Sequence, residues 1–285
     1  MDDLTGKIAV ITGAASGIGQ GTAQALAAVG ARVVVADIDA RSAEAVAAAI
    51  RKAGGVAIAA ICDVGEDGAF EALRETILTE LHGEADIVMN NAGVILSGHP
   101  EDIPLSEWQR IFNVNLFSIV RSNAVFLPPM LARGSGHIVN TSSFSGIMTY
   151  SFDRLPYAAS KAAIFQMSEG LALYLIPKGI GVTVLCPGPV ETNIMKSSKL
   201  WTSGVEIRGP GAEFAMMSPN EVGGQVVEAI RRNIFFLPTD ALVRDRLVRR
   251  ASNINRYLRD EIDHPQIISL DAAIAAKSAQ QESQP

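Results

Sequence analysis

The chain has 285 residues, of which 48% are apolar and 19% are charged. This length and composition fit one globular domain with a large core, with or without a short extension. The formal net charge of −6 opposes binding to the phosphate backbone of nucleic acids, so we expect no nucleic-acid partner.

Short apolar runs alternate with amphipathic segments along most of the chain, which is typical of a parallel sheet with helices on both faces. The predicted strands are Lys7–Thr12, Arg32–Ala36, Val56–Ala60, Asp86–Asn90, His137–Thr141, Gly181–Leu185 and Ile234–Leu237. The predicted helices are Gly17–Val29, Arg41–Lys52, Asp67–Leu81, Leu105–Leu131, Leu155–Ile176 and Asn220–Arg232. The pattern predicts an α/β fold with a doubly wound, Rossmann-type parallel sheet of about seven strands.

The regular alternation ends near residue 240, where an arginine-rich segment begins. From Ala241 to Asp260, arginines and apolar residues alternate at helical spacing, which predicts a basic amphipathic helix. Such a helix can lie on a membrane surface, but we expect it to pack on its own fold or on a sister subunit. The stretch Leu270 to Pro285 has few large apolar residues and is expected to be disordered. We therefore predict a main domain, residues 1–240, and a C-terminal helical extension, residues 241–285.

Neither the cysteines nor the apolar runs of the sequence indicate a metal site, a disulfide framework or a membrane-spanning helix. Cys62 and Cys186 have no neighbouring cysteine or clustered histidine, so neither a disulfide framework nor a metal site is indicated. The N-terminus is acidic, and no apolar run approaches the roughly 18 residues that suggest a membrane-spanning helix. We expect a cytoplasmic protein with no membrane partner.

A glycine-rich turn follows the first strand directly, and a helix begins from it. Gly13, Gly17 and Gly19 let the backbone turn sharply and approach a pyrophosphate, whose charge meets unpaired N–H groups at the helix start. The spacing G-x-x-x-G-x-G differs from the general dinucleotide fingerprint, and a purely structural turn is the alternative. Its place between the first strand and the first helix favours a dinucleotide site, to which Ser16 and Ile18 would also belong.

The end of the second strand bears on the choice of dinucleotide. Asp37 lies 18 residues beyond Gly19, where an acidic side chain accepts hydrogen bonds from ribose hydroxyls and repels a 2′-phosphate. Because Ser16 rather than a basic residue lies in the turn, NAD is favoured. Arg41 is close enough to reach a phosphate, so NADP stays as the less favoured alternative.

A tyrosine and a lysine lie four residues apart in one predicted helix. Tyr157 and Lys161 therefore project from the same face. A free phenol has a pKa near ~10, and an adjacent ammonium should lower that pKa, so the pair could transfer protons near neutral pH. The same spacing also occurs on solvated helix faces, so it does not decide the function by itself.

Four motifs, in order and at the right spacing, resemble the short-chain dehydrogenase/reductase family. They are the glycine turn, Asn90-Asn91-Ala92-Gly93 after the fourth strand, Tyr157 with Lys161, and Pro187 to Thr192 after the sixth, across about residues 5–195. The resemblance implies an oxidoreductase that interconverts an alcohol and a ketone as small-molecule substrates with a nicotinamide cofactor. It also implies a homo-oligomer, dimer or tetramer. The alternatives are an NADPH-linked carbonyl reductase and a non-catalytic dinucleotide-sensing protein, which should lack the proton-transferring residues.

The resemblance also implies roles for individual residues. Asn115 would bend its helix and hold a water leading to Lys161, Ser143 would hydrogen-bond the substrate oxygen, and Tyr157 would exchange the proton. The further residues implied at the cofactor are Asp63 and Val64 near the adenine, Asn90, Ala92 and Gly93 after the fourth strand, and Val190 and Thr192 near the carboxamide. Ordinary structural roles for these side chains are the alternative.

Two features depart from the family pattern. Ser143 and Tyr157 are 14 residues apart, one more than the commonest spacing, which leaves open whether Ser142 or Ser143 faces the substrate. Gly146, three residues after Ser143, favours Ser143. The chain also lacks the usual last strand followed by Asp-Gly-Gly, so the far wall of the pocket is not implied by the resemblance.

The segments expected to border the substrate are apolar. They are Val94–Leu96, Phe144, Ile147, Met148, Tyr150, Phe152, Pro189 and the loop 193–218 with Met195, Leu200, Trp201, Phe214, Met216 and Met217. Methionines and aromatic residues on a loop favour a hydrophobic substrate and a lid that closes over it. Ordinary core packing is the other explanation.

Overall fold

A parallel seven-stranded sheet forms the centre of the computed structural model, which describes residues 1–192, 194 and 199–265. Its strands, in the order β3-β2-β1-β4-β6-β7-β9, are β1 Ile8–Thr12, β2 Arg32–Asp37, β3 Val56–Ile61, β4 Ile87–Asn90, β6 Gly136–Thr141, β7 Ile180–Cys186 and β9 Phe236–Pro238. A separate parallel pair is formed by β5 Leu96–Ser97 and β8 Lys199–Leu200. The predicted α/β fold is confirmed.

Helices cover both faces of this sheet. They are α1 Gly17–Ala28, α2 Ala40–Lys52, α3 Ala69–Leu81, α4 Leu105–Phe112, α5 Ser118–Arg133, α6 Phe144–Ile147, α7 Leu155–Leu175, α8 Pro219–Arg231, α9 Val243–Ser252 and α10 Ile254–Asp263. Side chains of α1, α2 and α8 form the core on one face, and those of α3, α5 and α7 form it on the other. None of the helices in the described part of the chain is long and apolar enough to cross a membrane.

The strand order reverses between β1 and β4, and this reversal opens a crevice. From β1 the chain runs outward to β3 and then returns to β4 on the other side of β1. Loops that leave the carboxyl ends of such neighbours diverge, which makes this place the usual ligand site of the fold. The Thr12 hydroxyl accepts hydrogen bonds from the backbone N–H groups of Asn91 (3.0 Å) and Ala92 (3.2 Å). The turn after β1 and the loop after β4 are therefore fixed to each other.

Two predicted helices are not continuous. The segment Leu105–Leu131 is interrupted by a π-helical turn at Asn113–Phe117, and the Asn113 side chain donates to the Gly65 carbonyl at 2.9 Å. A single π turn hardly alters the apolar periodicity, so the periodicity does not reveal it, whereas the family resemblance implied a bend at Asn115. The C-terminal helix breaks at Asn253, whose extended backbone (φ −160°) ends α9 and whose side chain caps α10 by accepting from Arg256 N.

The C-terminal extension packs against the rest of the fold. Val243 of α9 is fully buried in a cluster that includes Phe144 and Phe214. The Tyr257 hydroxyl of α10 donates to the Thr149 carbonyl at 2.9 Å. Division of the chain at residue 240 stays a prediction, and the expected disorder from residue 270 falls outside the described residues.

Two adjacent glycines in α8 give a matched test of the close contact between α1 and α8. A Cβ on Gly223 would lie 2.4 Å from the Gly21 carbonyl oxygen, whereas a Cβ on Gly224 would meet nothing within 4 Å. We expect Gly223→Ala to lower the free energy of unfolding by about 1 to 3 kcal/mol, because the two helix backbones must separate. Gly224→Ala should raise it by about 0.5 to 1 kcal/mol, since alanine favours the helix. Urea unfolding of both variants measures the difference, and equal effects would contradict this packing.

Candidate active site

The glycine turn after β1 forms a backbone cradle at the start of α1. Gly13 (φ +64°) and Gly17 (φ +53°) adopt left-handed conformations that favour glycine. A Cβ on Gly19 would lie 2.3 Å from the Gly13 carbonyl oxygen, so only glycine permits this approach. Ser16, at the N-cap, makes no side-chain hydrogen bond to the described first turn of α1. The first N–H groups of α1 therefore receive no bond from the Ser16 side chain, and the start of this helix fits a dinucleotide pyrophosphate.

An acidic edge lies beside this cradle, at the ends of β2 and β3. The Asp37 carboxylate accepts hydrogen bonds from Ala15 N and Asp39 N, each at 3.0 Å. The Cys62 N–H donates to the Asp37 carbonyl at 2.9 Å, which brings Asp63 and Val64 alongside. Val64 is buried in the core, whereas Asp63 is half-buried and accepts from Gly65 N. The structure thus brings all three predicted adenosine-side residues to one edge of the crevice.

The loop after β4 extends from the sheet to Lys161. The Asn90 side-chain nitrogen donates to Asn140 Oδ1 (2.9 Å), and Asn90 Oδ1 is buried without a hydrogen-bond partner among the described residues. Farther along the loop, a Cβ on Gly93 would lie 3.4 Å from Lys161 Nζ and 3.3 Å from Asn115 Oδ1. Because Gly93 has no side chain, the loop after β4 can lie directly against Lys161 and Asn115.

The loop after β7 closes the crevice from the opposite side. Val190 pairs with Met217 in an isolated parallel bridge. Two residues later, the Thr192 methyl group would lie 3.0 Å from a Cβ on Gly17. The structure thus places Thr192 next to the glycine turn, and its implied contact with a nicotinamide carboxamide stays a prediction.

Asn115 and Lys161 lie buried on neighbouring helices. Asn115, in the π-helical turn, accepts from Val94 N (2.8 Å) and donates to Val94 O and Ser160 Oγ, both at 3.0 Å. Lys161 Nζ donates to the Thr141 carbonyl at 2.8 Å. The irregular turn allows Asn115 to hold the start of the β4 loop against α7, and π turns are frequent at functional sites.

The structure separates the two candidate serines after β6. The Ser142 hydroxyl donates to the Lys161 carbonyl at 2.7 Å and is 1% exposed, so it joins the end of β6 to α7 internally. The Ser143 hydroxyl accepts from Ser145 N at 3.1 Å and also interacts with the Tyr157 hydroxyl. Ser143 is therefore the serine placed beside Tyr157.

Electrostatics at Tyr157 differ from the prediction. Burial raises the pKa of Tyr157 to about 12, while Ser143 and then Arg154 act to lower it. Burial also lowers the pKa of Lys161 to about 8. A lysine with that pKa is neutral at the pH at which such a phenol ionises, so Lys161 is not among the groups that lower the pKa of Tyr157. The prediction that the Lys161 ammonium lowers the pKa of Tyr157 was wrong, because it did not take the burial of both groups into account.

Comparison with known proteins identifies the family. A sequence profile described as short chain dehydrogenase matches residues 7–203. The chain belongs to the short chain dehydrogenase family. It is 36% identical over 232 residues to the probable oxidoreductase EphD of Mycobacterium tuberculosis, covering 78% of this chain and 39% of that protein. The chain thus spans about two fifths of the length of that relative.

Two further proteins are similar to this chain over most of their length. The 7alpha-hydroxysteroid dehydrogenase of Escherichia coli K12 is 36% identical over 196 residues, covering 68% of this chain and 75% of that protein. A short chain dehydrogenase/reductase from Burkholderia phymatum, crystallised in complex with NAD, superposes with a TM-score of 0.79 at 27% identity, covering 95% of this chain and 99% of that one.

Several expected pocket residues are core residues in this member of the family. Phe144 is fully buried, and its ring lies 5.1 Å from that of Phe214, so both pack behind the site. Met195 lies outside the described residues.

Sequence reasoning missed Asp153 and Arg154, which form a buried ion pair just before α7. Adjacent acidic and basic residues in a loop usually indicate solvent exposure, so the sequence carries no signal for this pair.

Proposed function

We propose that the protein catalyses the NAD-dependent interconversion of a secondary alcohol and a ketone, with Tyr157 as general acid and base. The observation that carries this proposal is the convergence of the Tyr157 hydroxyl, the Ser143 hydroxyl and the Lys161 ammonium beside the glycine cradle. A sensing protein without turnover would have no use for buried proton-transferring groups at this place. The family relationship and the NAD complex of the similar structure support the same reaction class.

In the proposed mechanism, the protein's own residues orient the substrate and move one proton. Ser143 fixes the alcohol oxygen, and Tyr157 accepts the hydroxyl proton from it. Lys161 would hold the nicotinamide-side ribose, and Asn115 fixes the loop that carries Gly93 and Val94 beside Lys161. Bound NAD⁺ would supply the hydride acceptor and a positive charge. A cation in this buried site favours the phenolate, which burial alone disfavours.

A panel of alcohols tests the reaction. We suggest 2-propanol, cyclohexanol, 2-octanol and a 7α-hydroxy bile salt with NAD⁺, following the absorbance of the reduced nicotinamide. The proposal expects turnover of at least one secondary alcohol, with the larger apolar ones preferred. That preference is supported by Leu200 and Met216, which are more than half exposed on the segment beside the site, and by the hydroxysteroid dehydrogenase among the relatives. If NAD⁺ binds but no alcohol or ketone reacts, the sensing alternative replaces this proposal.

Cofactor preference follows from the Asp37 carboxylate, and we expect kcat/KM to be higher with NAD⁺ than with NADP⁺. Asp37→Ser should shift the ratio of the two kcat/KM values toward NADP⁺ by about tenfold or more, because it removes the charge that repels a 2′-phosphate. Asp39→Asn is the matched control. Asp39 caps α2 by accepting from Arg41 N and Ser42 N, and asparagine keeps that cap while removing one charge two residues away. An equal shift in both variants, or a wild-type preference for NADP⁺, would favour the NADPH-linked alternative.

The homo-oligomer also stays a proposal. It is supported by large apolar side chains that are about half or more exposed on or beside α5 and α7, namely Phe117, Val120, Leu173 and Tyr174.

A further inference from the structure

A buried ion pair lies just before the helix that carries Tyr157. The Asp153 carboxylate is 0% exposed, and its Oδ2 accepts from Arg154 Nε at 2.9 Å. The Arg154 guanidinium is also buried, and its second nitrogen, Nη2, donates to the Arg208 carbonyl at 2.7 Å. One guanidinium therefore joins the loop before α7 to the segment after β8.

The same two residues connect a third segment. The Asp153 carbonyl accepts from Gly98 N at 2.8 Å, and its carboxylate interacts with Ser97 Oγ (3.5 Å) and Arg208 N (3.4 Å). Ser97 in turn pairs with Leu200 across β5 and β8, and its carbonyl accepts from Trp201 N at 2.7 Å. The segments 96–98, 150–154 and 199–208 therefore meet at Asp153.

These segments adjoin the candidate active site. The loop 150–154 leads directly into the first turn of α7, which carries Tyr157, and the segment 96–98 continues the loop that Asn115 holds at Val94. The Arg154 guanidinium also acts to lower the pKa of the Tyr157 phenol, which burial raises. A buried ion pair is weak evidence for stability, because both charges lose their hydration. The ion pair at this place is better explained by the three segments that it holds together.

We propose that Asp153 and Arg154 are positioning residues that hold the segment 199–208 against the site and so determine how the alcohol substrate is seated. This inference rests on the proposed function for its kinetic part only. The structural part, that the pair holds this segment in place, is testable without any substrate.

Trp201 reports on the seating of the segment. The chain has two tryptophans, so Trp108→Phe leaves Trp201 as the single fluorophore. In that background we expect Arg154→Met to increase acrylamide quenching of Trp201 by about twofold, because the released segment exposes the indole. Arg74→Met is the control, since Arg74 pairs with Glu84 on the surface, away from this segment. Unchanged quenching in Arg154→Met would overturn the proposal.

Kinetics with the best alcohol of the panel test the role in the reaction. For both Arg154→Met and Arg154→Lys we expect KM for the alcohol to rise about tenfold, with KM for NAD⁺ within about twofold of the wild type. Lysine keeps the charge but cannot reach Asp153 and the Arg208 carbonyl together. Only the methionine variant removes the positive charge near Tyr157, so only this variant should also raise the pH midpoint of kcat.

Further outcomes separate the two proposals. Equal increases in both KM values would show a general structural role and overturn the positioning role. If the wild type itself turns over no panel alcohol, the proposed function fails, and the Trp201 measurement still decides whether the pair holds the segment. Because Arg154→Met leaves a buried carboxylate unpaired, Asp153→Asn/Arg154→Met serves as a second variant with the same expected quenching and KM changes.

Discussion

Replacing Tyr157 by phenylalanine is expected to lower kcat by about 10²- to 10⁴-fold, the usual contribution of a positioned general acid or base. Phenylalanine keeps the buried ring and removes only the hydroxyl that interacts with Ser143. Affinity for NAD⁺, measured by fluorescence titration, should change by less than about twofold, because the glycine cradle and the Asp37 edge are untouched.

The control for this substitution lies on the same helix. Tyr174 is half exposed near the end of α7, and Tyr174→Phe removes a hydroxyl of the same kind far from the crevice. It should leave kcat within about twofold of the wild type. If Tyr157→Phe keeps most of its turnover, another group moves the proton and the proposed mechanism fails.

The strands were predictable because burial on both faces requires near-continuous apolar runs. Ile8–Thr12 and Ile87–Asn90 are buried along their whole length. A short, continuous apolar run of that kind fits few structures other than a buried strand. The π turn at Asn113–Phe117 was not visible in the periodicity, since its residues fit an ordinary helix and only the contacts of Asn113 and Asn115 select the wider turn. Only the family resemblance implied a bend at Asn115. The two-residue strands β5 and β8 depend on tertiary contacts alone.

Residues of the candidate site also differ in how well the sequence predicts them. Gly13 and Gly19 were identifiable because their positions tolerate no side chain, and such a requirement is visible in the sequence. The direction of the Tyr157 pKa was not, because burial of a phenol depends on the whole fold and outweighs a neighbour that the spacing reveals. The partners of Asp153 include Ser97, 56 residues before it, and Arg208, 55 residues after it, so no local pattern shows them.

Replacing Lys161 is the second substitution expected to have a large effect. It should lower the activity without lowering the stability of the fold. Lowering the pKa of a lysine from 10.5 to about 8 corresponds to about 3 kcal/mol of free energy against the charged form. Lys161→Met removes this cost but leaves the Thr141 carbonyl without its donor, a loss of about 1 to 2 kcal/mol. We therefore expect kcat/KM to fall by about 10²-fold or more, while the free energy of unfolding at pH 7 stays equal or rises by up to about 2 kcal/mol.

The pH dependence of that stability difference gives the sign of the effect. Between pH 8 and 10.5 the unfolded wild type binds the lysine proton and the folded wild type does not, so wild-type stability rises with pH across this window. Any advantage of Lys161→Met in urea unfolding should therefore shrink as the pH is raised from 8 toward 10.5. Lys178→Met is the control, because Lys178 also donates to a backbone carbonyl (Tyr174 O, 3.0 Å) and lies over a tyrosine ring, but on the surface. A variant of Lys161 that is inactive and clearly less stable at pH 7 would instead show that the lysine holds the fold together, because a buried ammonium kept for chemistry alone should not stabilise it.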